Sequence, residues 1–430
     1  MIEKRTPIPV FEAAARVSRH QKQGDTEWIH LEESLHRFLA EDVKADHDVP
    51  AFDRSPYDGF AVRACDTAGA SRENPLQFEV VDHIGAGAVS GKKLGPFQAV
   101  RIMTGAQIPE GADAVVMLEL TKTFSEDGKN YMVLKRTLQP GENISKTGED
   151  ARKGSVLVKK GTRITPGVVA LLATFGYAAV PAVKKPVVGI IATGTELLNV
   201  SDPLVPGKIR NSNAGMAAAQ VEEAGGKPLY LGKISDQFDE SFAAVEKALD
   251  KVDFLITTGG VSVGDFDFLP AIYEKLGAEV LFNKVAMRPG SVTTVAQLNG
   301  KLLFGLSGNP SACFVGFELF VKPSLRTWLH HPKPYSLCAE AVLAKDFPKP
   351  NPFTRFVRSF VSIQDGALQA EPVGLDKSSA VTSLADANAL MVLPGGTRGY
   401  EAGARVHVLL YRDENGSEQL WPHIFQSSRS

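Results

Sequence analysis

The strongest constraint on the fold lies between residues 186 and 328. There, short apolar runs alternate with helical patterns. Val187-Val-Gly-Ile-Ile191 reads as a strand, 214–224 as a helix, 228–231 as a strand and 240–249 as a helix. Residues 254–256 form the next strand and 269–276 its helix. A hairpin over 279–296 precedes a strand at 302–306, and a helix over 312–328 closes the series. Strands this uniformly apolar must be covered on both faces, which predicts a doubly wound, mainly parallel sheet.

Three loops follow strands of this unit, and all carry groups suited to chemistry. The first is Ala192-Thr-Gly-Thr-Glu-Leu197, with Gly194 for close backbone approach and Glu196 as acid, base or metal ligand. The second is Thr257-Thr258-Gly259-Gly260, followed by Ser262, Gly264, Asp265 and Asp267. Glycines there can turn N–H groups toward an anion, and the carboxylates can hold a divalent metal or cap a helix. The third is Leu306-Ser307-Gly308-Asn309-Pro310, which opens a helix whose dipole favours phosphate. In a parallel sheet all three lie at the carboxyl edge, where open α/β sheets bind ligands. Ordinary capping accounts for any one loop; a shared ligand accounts for all three. Lys284 and Arg288, four residues apart, place cations near this edge, either as the solvated charges of a hairpin or as anion ligands, where Arg forks onto oxyanions and Lys acts as a point charge. Asp236 follows another strand, as catalyst or as N-cap.

At 430 residues the chain exceeds one ordinary core, so the α/β unit has neighbours. Residues 9–17 and 31–39 each show helical spacing. Residues 51–59 form a polar loop containing Asp58. Residues 76–138 alternate as strands punctuated by glycines and predict a small barrel or sandwich. Residues 140–164 form a loop-rich stretch containing Glu149-Asp150, and Thr165-Pro166 starts a helix that Gly176 stops. Pro332 and Pro334 mark a boundary before a small all-β domain, 331–412. Residues 413–430 read as a tail, with disorder expected over 426–430.

A net charge of −2 gives no reason to invoke nucleic acid or an anionic membrane. Three scattered cysteines argue against a disulfide framework or thiolate zinc site. With no secretory signal and no run long enough to span a bilayer, the cytoplasm is the expected compartment. HExxH, the P-loop and the Gly-x-Ser-x-Gly elbow are absent, and adjacent His330-His331 reads as linker.

Together these motifs resemble the molybdopterin molybdenumtransferase family over nearly the whole chain. The resemblance is carried by Ser55-Pro-Tyr-Asp-Gly-Phe-Ala61, Pro140-Gly-Glu-Asn-Ile144, Gly148-Glu-Asp150 and Gly194-Thr-Glu-Leu197. Thr257-Thr-Gly-Gly-Val-Ser-Val-Gly264, Lys284-Val-Ala-Met-Arg-Pro-Gly290, Ser307-Gly-Asn-Pro310 and Ser383-Leu-Ala-Asp-Ala-Asn388 complete it. It implies an elongated multidomain α/β plus β chain: a discontinuous linker domain (1–50 and 140–183), an inserted β-rich domain (51–139), a molybdopterin- and nucleotide-binding α/β domain (184–330) and a small C-terminal β-barrel (331–412). The implied reaction is insertion of molybdate into adenylyl-molybdopterin, giving molybdenum cofactor and AMP with Mg²⁺. A homodimer is implied, its site shared between chains so that Asp58 and Asp150 face the α/β domain of the partner, and the molybdopterin adenylyltransferase is the implied partner enzyme. Asp58, Glu196, Asp236 and Asp267 match acidic catalytic positions, the last three also metal positions. Thr104, Asp150, Gly194, Thr257, Thr258, Gly259, Gly260, Ser262, Lys284, Arg288, Ser307, Gly308, Asn309 and Pro310 match the substrate-binding set. The chain departs from the family at Thr195, where an Asp is common, at Ser145 and Pro270, and at Ser291-Val292. Two other readings of the residues are a non-catalytic pterin-binding scaffold and a different nucleotide-dependent hydrolase on the same core.

Overall fold

The computed structural model describes residues 6–234, 237–260, 269–412, 418 and 420. The chain divides into two compact units. One comprises residues 1–41, 160–169 and 178–430; the other comprises 42–159 and 170–177.

The first unit contains the doubly wound sheet. Its strands are β1 (Val187–Thr193), β2 (Lys227–Ile234), β3 (Phe254–Thr258), β4 (Glu279–Phe282), β5 (Thr294–Leu298) and β6 (Lys301–Leu306), in spatial order 2-1-3-6-5-4. Strands β2, β1, β3 and β6 are parallel; β5 runs antiparallel to β6 and to β4. The apolar runs are explained by burial on both faces. Val188, Ile190, Ile256 and Phe304 join one core, and Ile191, Leu255 and Leu303 the other. Helix α1 (Ser212–Glu223) covers the first face through Ala217 and Val221. Helices α2 (Phe238–Leu249) and α3 (Leu269–Lys275) cover the second through Val245, Ala248 and Ile272. The final helical run begins as α4 (Pro310–Gly316) and continues through a π turn at Phe317–Val321 into Lys322–Trp328.

The hairpin expected over 279–296 is present as the β4–β5 pair, with an excursion between them. Inside the excursion, Met287–Arg288 forms a short parallel ladder with Thr354 and Arg355 of the C-terminal domain. That domain is a closed five-stranded barrel. Thr354–Gln364 pairs with Ala367–Pro372, which pairs with Leu337–Leu343; the circuit closes through Arg405–Leu410 and Ala389–Leu393 back onto Thr354–Gln364.

One expected helix is absent. Helix Val10–Ser18 forms as its pattern predicts, but 31–39 does not. Only Leu31–Glu33 makes a 3₁₀ turn. His36 then adopts φ +65°, and the His36 and Leu39 N–H groups donate to the carbonyls of Ile164 and Thr162. A returning segment thus takes the hydrogen bonds a helix would have used, and Phe38 and Leu39 are buried as bridge residues.

In the second unit the expected barrel or sandwich is instead one six-stranded sheet. Its order is Ala114–Met117, Gly59–Val62, Gln98–Ile102, Leu76–Ile84, Lys129–Leu134, Thr121–Glu126. Phe60, Phe78 and Met132 fill one core; Ala61, Val100 and Ile102 fill the other. Loop residues Leu94, Ile108 and Ile144 cover that second core, so no second sheet is needed. No helix among the described residues is long and apolar enough to cross a membrane.

Candidate functional site

Strand order reverses between β1 and β3, since β2 lies on one side of β1 and β3 on the other. Such a switch point leaves a crevice beyond the carboxyl ends of the two strands. The loops after β1, β3 and β6 converge there. Gly259 has φ +97°, and a Cβ on it would stand 2.6 Å from Thr193 Oγ1 and 2.8 Å from the Thr193 carbonyl oxygen. Only glycine gives both that backbone and that approach. Thr193 Oγ1 donates to the Thr258 carbonyl at 3.3 Å, and Gly259 N donates to the Leu306 carbonyl at 2.9 Å. A Cβ on Gly308 would meet only the Gly259 Cα, at 3.6 Å. The first and third loops are thus both packed on the second. Thr257, Thr258 and Ser307 are buried, and Gly260 also has positive φ, at +69°.

Glu196 is exposed, its carboxylate folded back so that a Cβ on Gly194 would come within 2.5 Å of it. Gly194, at φ +136°, makes room for it. Asn309 caps α4 and Pro310 takes its first turn; Asn309 N donates to Ser307 Oγ at 3.2 Å. The Ser311 N–H is bound at 3.0 Å by the Ser378 carbonyl of the barrel domain, so it is not available to a ligand at this end of the helix. Arg288 is exposed and Lys284 half-buried on the β4–β5 excursion. That excursion reaches α4, since a Cβ on Gly290 would lie 3.3 Å from the Ala312 carbonyl oxygen.

Asn213, in the first turn of α1, was not among the residues singled out from the sequence. It is buried, and its Nδ2 donates to the Gly308 carbonyl at 2.8 Å. Its Oδ1 is enclosed and has no hydrogen-bond partner among the described residues. Its sequence signal was Asn211-Ser-Asn213 at a helix start, where Asn211 is the cap, accepting from Ala214 N at 3.1 Å. Asp236, Ser262, Asp265 and Asp267 lie outside the described residues. Among the described residues no three His, Cys, Asp or Glu side chains gather into a metal cluster. Glu196 is the one member of the expected metal set that is described. A hard oxygen donor of this kind suits Mg²⁺, which takes one or two carboxylates and completes its shell with phosphate and water.

The second unit carries its own cluster. Asp58 Oδ1 accepts from Thr104 N at 2.8 Å and Thr104 Oγ1 at 2.7 Å. These bonds, the backbone one foremost, hold the Asp58 carboxyl below the usual carboxylate range, with Arg101 adding attraction. The loops are tied together by Gly105 N to the Ser55 carbonyl at 2.8 Å and Ser55 N to the Ala106 carbonyl at 3.0 Å. Beside them Asp53 accepts from Lys146 Nζ and Thr147 N, each at 2.8 Å, and its carboxyl is likewise held low. The hydrogen bond from Lys146 is the main cause. Asp150 is exposed, its N–H donating to the Val49 carbonyl at 3.0 Å.

Comparison with known proteins decides the family. Residues 8–176 match the MoeA N-terminal region (domain I and II), 189–327 a probable molybdopterin binding domain, and 340–411 the MoeA C-terminal region (domain IV). The chain is 77% identical to the molybdopterin molybdenumtransferase of Bacillus subtilis, over 100% of both chains. The chain belongs to the molybdopterin molybdenumtransferase family. It is also 50% identical to the enzyme of that name from Staphylococcus aureus, over 98% of this chain and 99% of the other. A crystal structure titled as a molybdopterin biosynthesis MoeA protein, from Pyrococcus horikoshii, superposes with a TM-score of 0.83 at 32% identity. The match covers 94% of this chain and 99% of that one. Membership makes the chain an enzyme, and the fold of that relative accords with the α/β, inserted-sheet and barrel architecture described above.

Proposed function

We propose that the chain inserts molybdate into adenylyl-molybdopterin, releasing AMP and molybdenum cofactor, with Mg²⁺ and in the cytoplasm. The observation that carries this reading is the convergence of three strand-end loops at the switch point, in a chain that is 77% identical end to end to a molybdopterin molybdenumtransferase. Thr257, Thr258, Gly259, Gly260 and Ser262 with Ser307, Gly308, Asn309 and Pro310 would cradle the pyrophosphate and terminal phosphate. Asn213, whose Nδ2 donates to the Gly308 carbonyl, would fix that loop's position. Lys284 and Arg288 would neutralise the molybdate oxyanion and the charge that develops on the leaving phosphate. Glu196, with Asp236 and Asp267, would hold Mg²⁺, which when bound neutralises pyrophosphate oxygens.

The working arrangement in this proposal is a homodimer of four-domain chains (1–50 with 140–183, 51–139, 184–330, 331–412). Asp58, Thr104 and Asp150 of one chain would face the crevice of its partner. Asp58, kept ionised by Thr104, would orient the attacking group or accept its proton. The substrate would come from the molybdopterin adenylyltransferase.

The test is to incubate purified protein with adenylyl-molybdopterin, Mg²⁺ and molybdate and follow AMP. Molybdate-dependent AMP release is expected. Pterin binding without AMP release would overturn the proposal in favour of a scaffold. Asp58→Asn should lose turnover and keep pterin binding; surviving turnover would remove Asp58 from the chemistry.

A further inference from the structure

The first unit has a second concavity, at the opposite edge of the sheet from the strand-end loops. It has a volume of about 370 Å³ and is walled by the end of α1 (Glu222–Gly225), Lys185 before β1, and Arg412 after the last barrel strand. The turn at His36, together with Arg163, Arg326 and His331, completes the wall. Lys185 and Gly225 stand just before β1 and β2 respectively, so this is the amino edge. No residue of the crevice takes part in it.

Its construction is that of an anion pocket. Five Lys or Arg side chains line it against two carboxylates, Glu222 and Glu223, in a chain whose net charge is −2. One of the five, Lys322, is buried in the floor and neutralised there. It pairs with Glu318 at 2.9 Å and donates to the Tyr411 carbonyl at 2.5 Å, while Gln220 Nε2 donates to the same Glu318 at 2.9 Å. The floor is therefore rigid, hydrogen-bonded and of low dielectric. Charges on the rim act more strongly over such a floor than over open water. The walls are fixed too. Gly225 turns at φ +90° so close to the core that a Cβ would stand 2.7 Å from Leu329 Cδ1, and the His331 ring packs on Phe38 at 5.6 Å between centroids. Lys185 and Arg412, both exposed, sit at the mouth.

We infer that this pocket is a second binding site, separate from the strand-end crevice, for a small phosphate-bearing molecule of nucleotide size. The exposed Lys185 and Arg412 would take the phosphate, and Glu222 and Glu223 would accept from sugar hydroxyls or a base amine. The volume lies at the lower end of ligand pockets, which suits a nucleoside monophosphate.

His36 and His331 make the inference testable by position. The full chain, with labelled histidines, is titrated with AMP and separately with inorganic pyrophosphate, at constant ionic strength set with sodium chloride. Its nine histidines are resolved by heteronuclear NMR, and these two are assigned by single His→Gln variants. Saturable shifts of His36 and His331 are expected. A response to AMP at lower concentration than to pyrophosphate marks the ligand as a nucleotide, and the reverse order would overturn that class. Lys185→Ser combined with Arg412→Ser changes only exposed side chains and should raise the half-saturation concentration about tenfold, two charge-assisted contacts being lost. Absence of saturable shifts at these two histidines, or equal affinity in the double variant, would overturn the site.

Discussion

Replacing Gly259 and Gly308 separately by alanine tests the convergent loops, because the two glycines carry opposite loads. At Gly259, alanine must adopt φ +97°, which costs roughly 1–2 kcal/mol. Its methyl would also stand 2.8 Å from the Thr193 carbonyl oxygen, and backbone cannot rotate away as a side chain can. Forcing that end of β1 to move adds about 1–3 kcal/mol. The expected loss, about 2–5 kcal/mol, lowers the unfolding midpoint of this unit by roughly 5–15 °C. Trp328, buried with its ring 5.5 Å from Phe254 of β3, reports the transition by fluorescence. At Gly308, where φ is not in the left-handed region, the added methyl meets only ordinary contact at 3.6 Å, and the midpoint should move by less than about 2 °C. If the proposed cradle admits phosphate beside this backbone, the same methyl would crowd it, and AMP release should fall at least about tenfold. One variant is thus expected to be unstable and the other stable but slow. A Gly308→Ala enzyme with full turnover would show that no ligand approaches that backbone. A Gly259→Ala protein as stable as the parent would refute the packing of the three loops.

Further expectations concern single side chains. Thr104→Val removes one of the two bonds that lower the Asp58 pKa, so Asp58 should take up its proton at higher pH than in the parent, read from its carboxyl carbon shift. An unchanged titration would assign the effect to the backbone bond alone. Arg288→Ala should raise the molybdate concentration needed for half-maximal AMP release about tenfold, and an unchanged dependence would count against an oxyanion role. Glu318→Ala strands Lys322, whose side chain is only 6% exposed, and should destabilise the first unit by about 3–5 kcal/mol in urea unfolding. Glu318→Leu with Lys322→Met removes both charges together and should lie closer to the parent.

Much of the α/β unit was legible because its strands lie under helices on both faces, which forces unbroken apolar runs such as 187–191 and 302–304. That the loops meet was legible for a related reason: parallel strands put the turns Thr-Thr-Gly-Gly and Leu-Ser-Gly-Asn-Pro at the same edge of the sheet. The 31–39 segment was misleading because its spacing met the helical rule while its backbone partners lay more than 120 residues away, at Thr162 and Ile164. Local pattern carries no record of such a partner. Residues 76–138 betrayed strands but not closure, since whether a sheet's second face meets another sheet or loops is settled by residues as distant as Ile144. Asn213 was hidden by its position, because an asparagine in a first helical turn looks like capping until its side chain is seen on Gly308.

The barrel is sewn to the carboxyl edge at two points. Met287–Arg288 extends its sheet, and Ser311 is held through its N–H by Ser378 and through its Oγ by Ala380, the latter at 2.5 Å. Each stitch lands beside a loop proposed to hold substrate. A lineage that lost the barrel would therefore lose the frame of Arg288 and the start of α4 with it. Cutting the chain near residue 331 should also strip Phe356, Leu390, Val392 and Tyr411 from the core they share with the sheet.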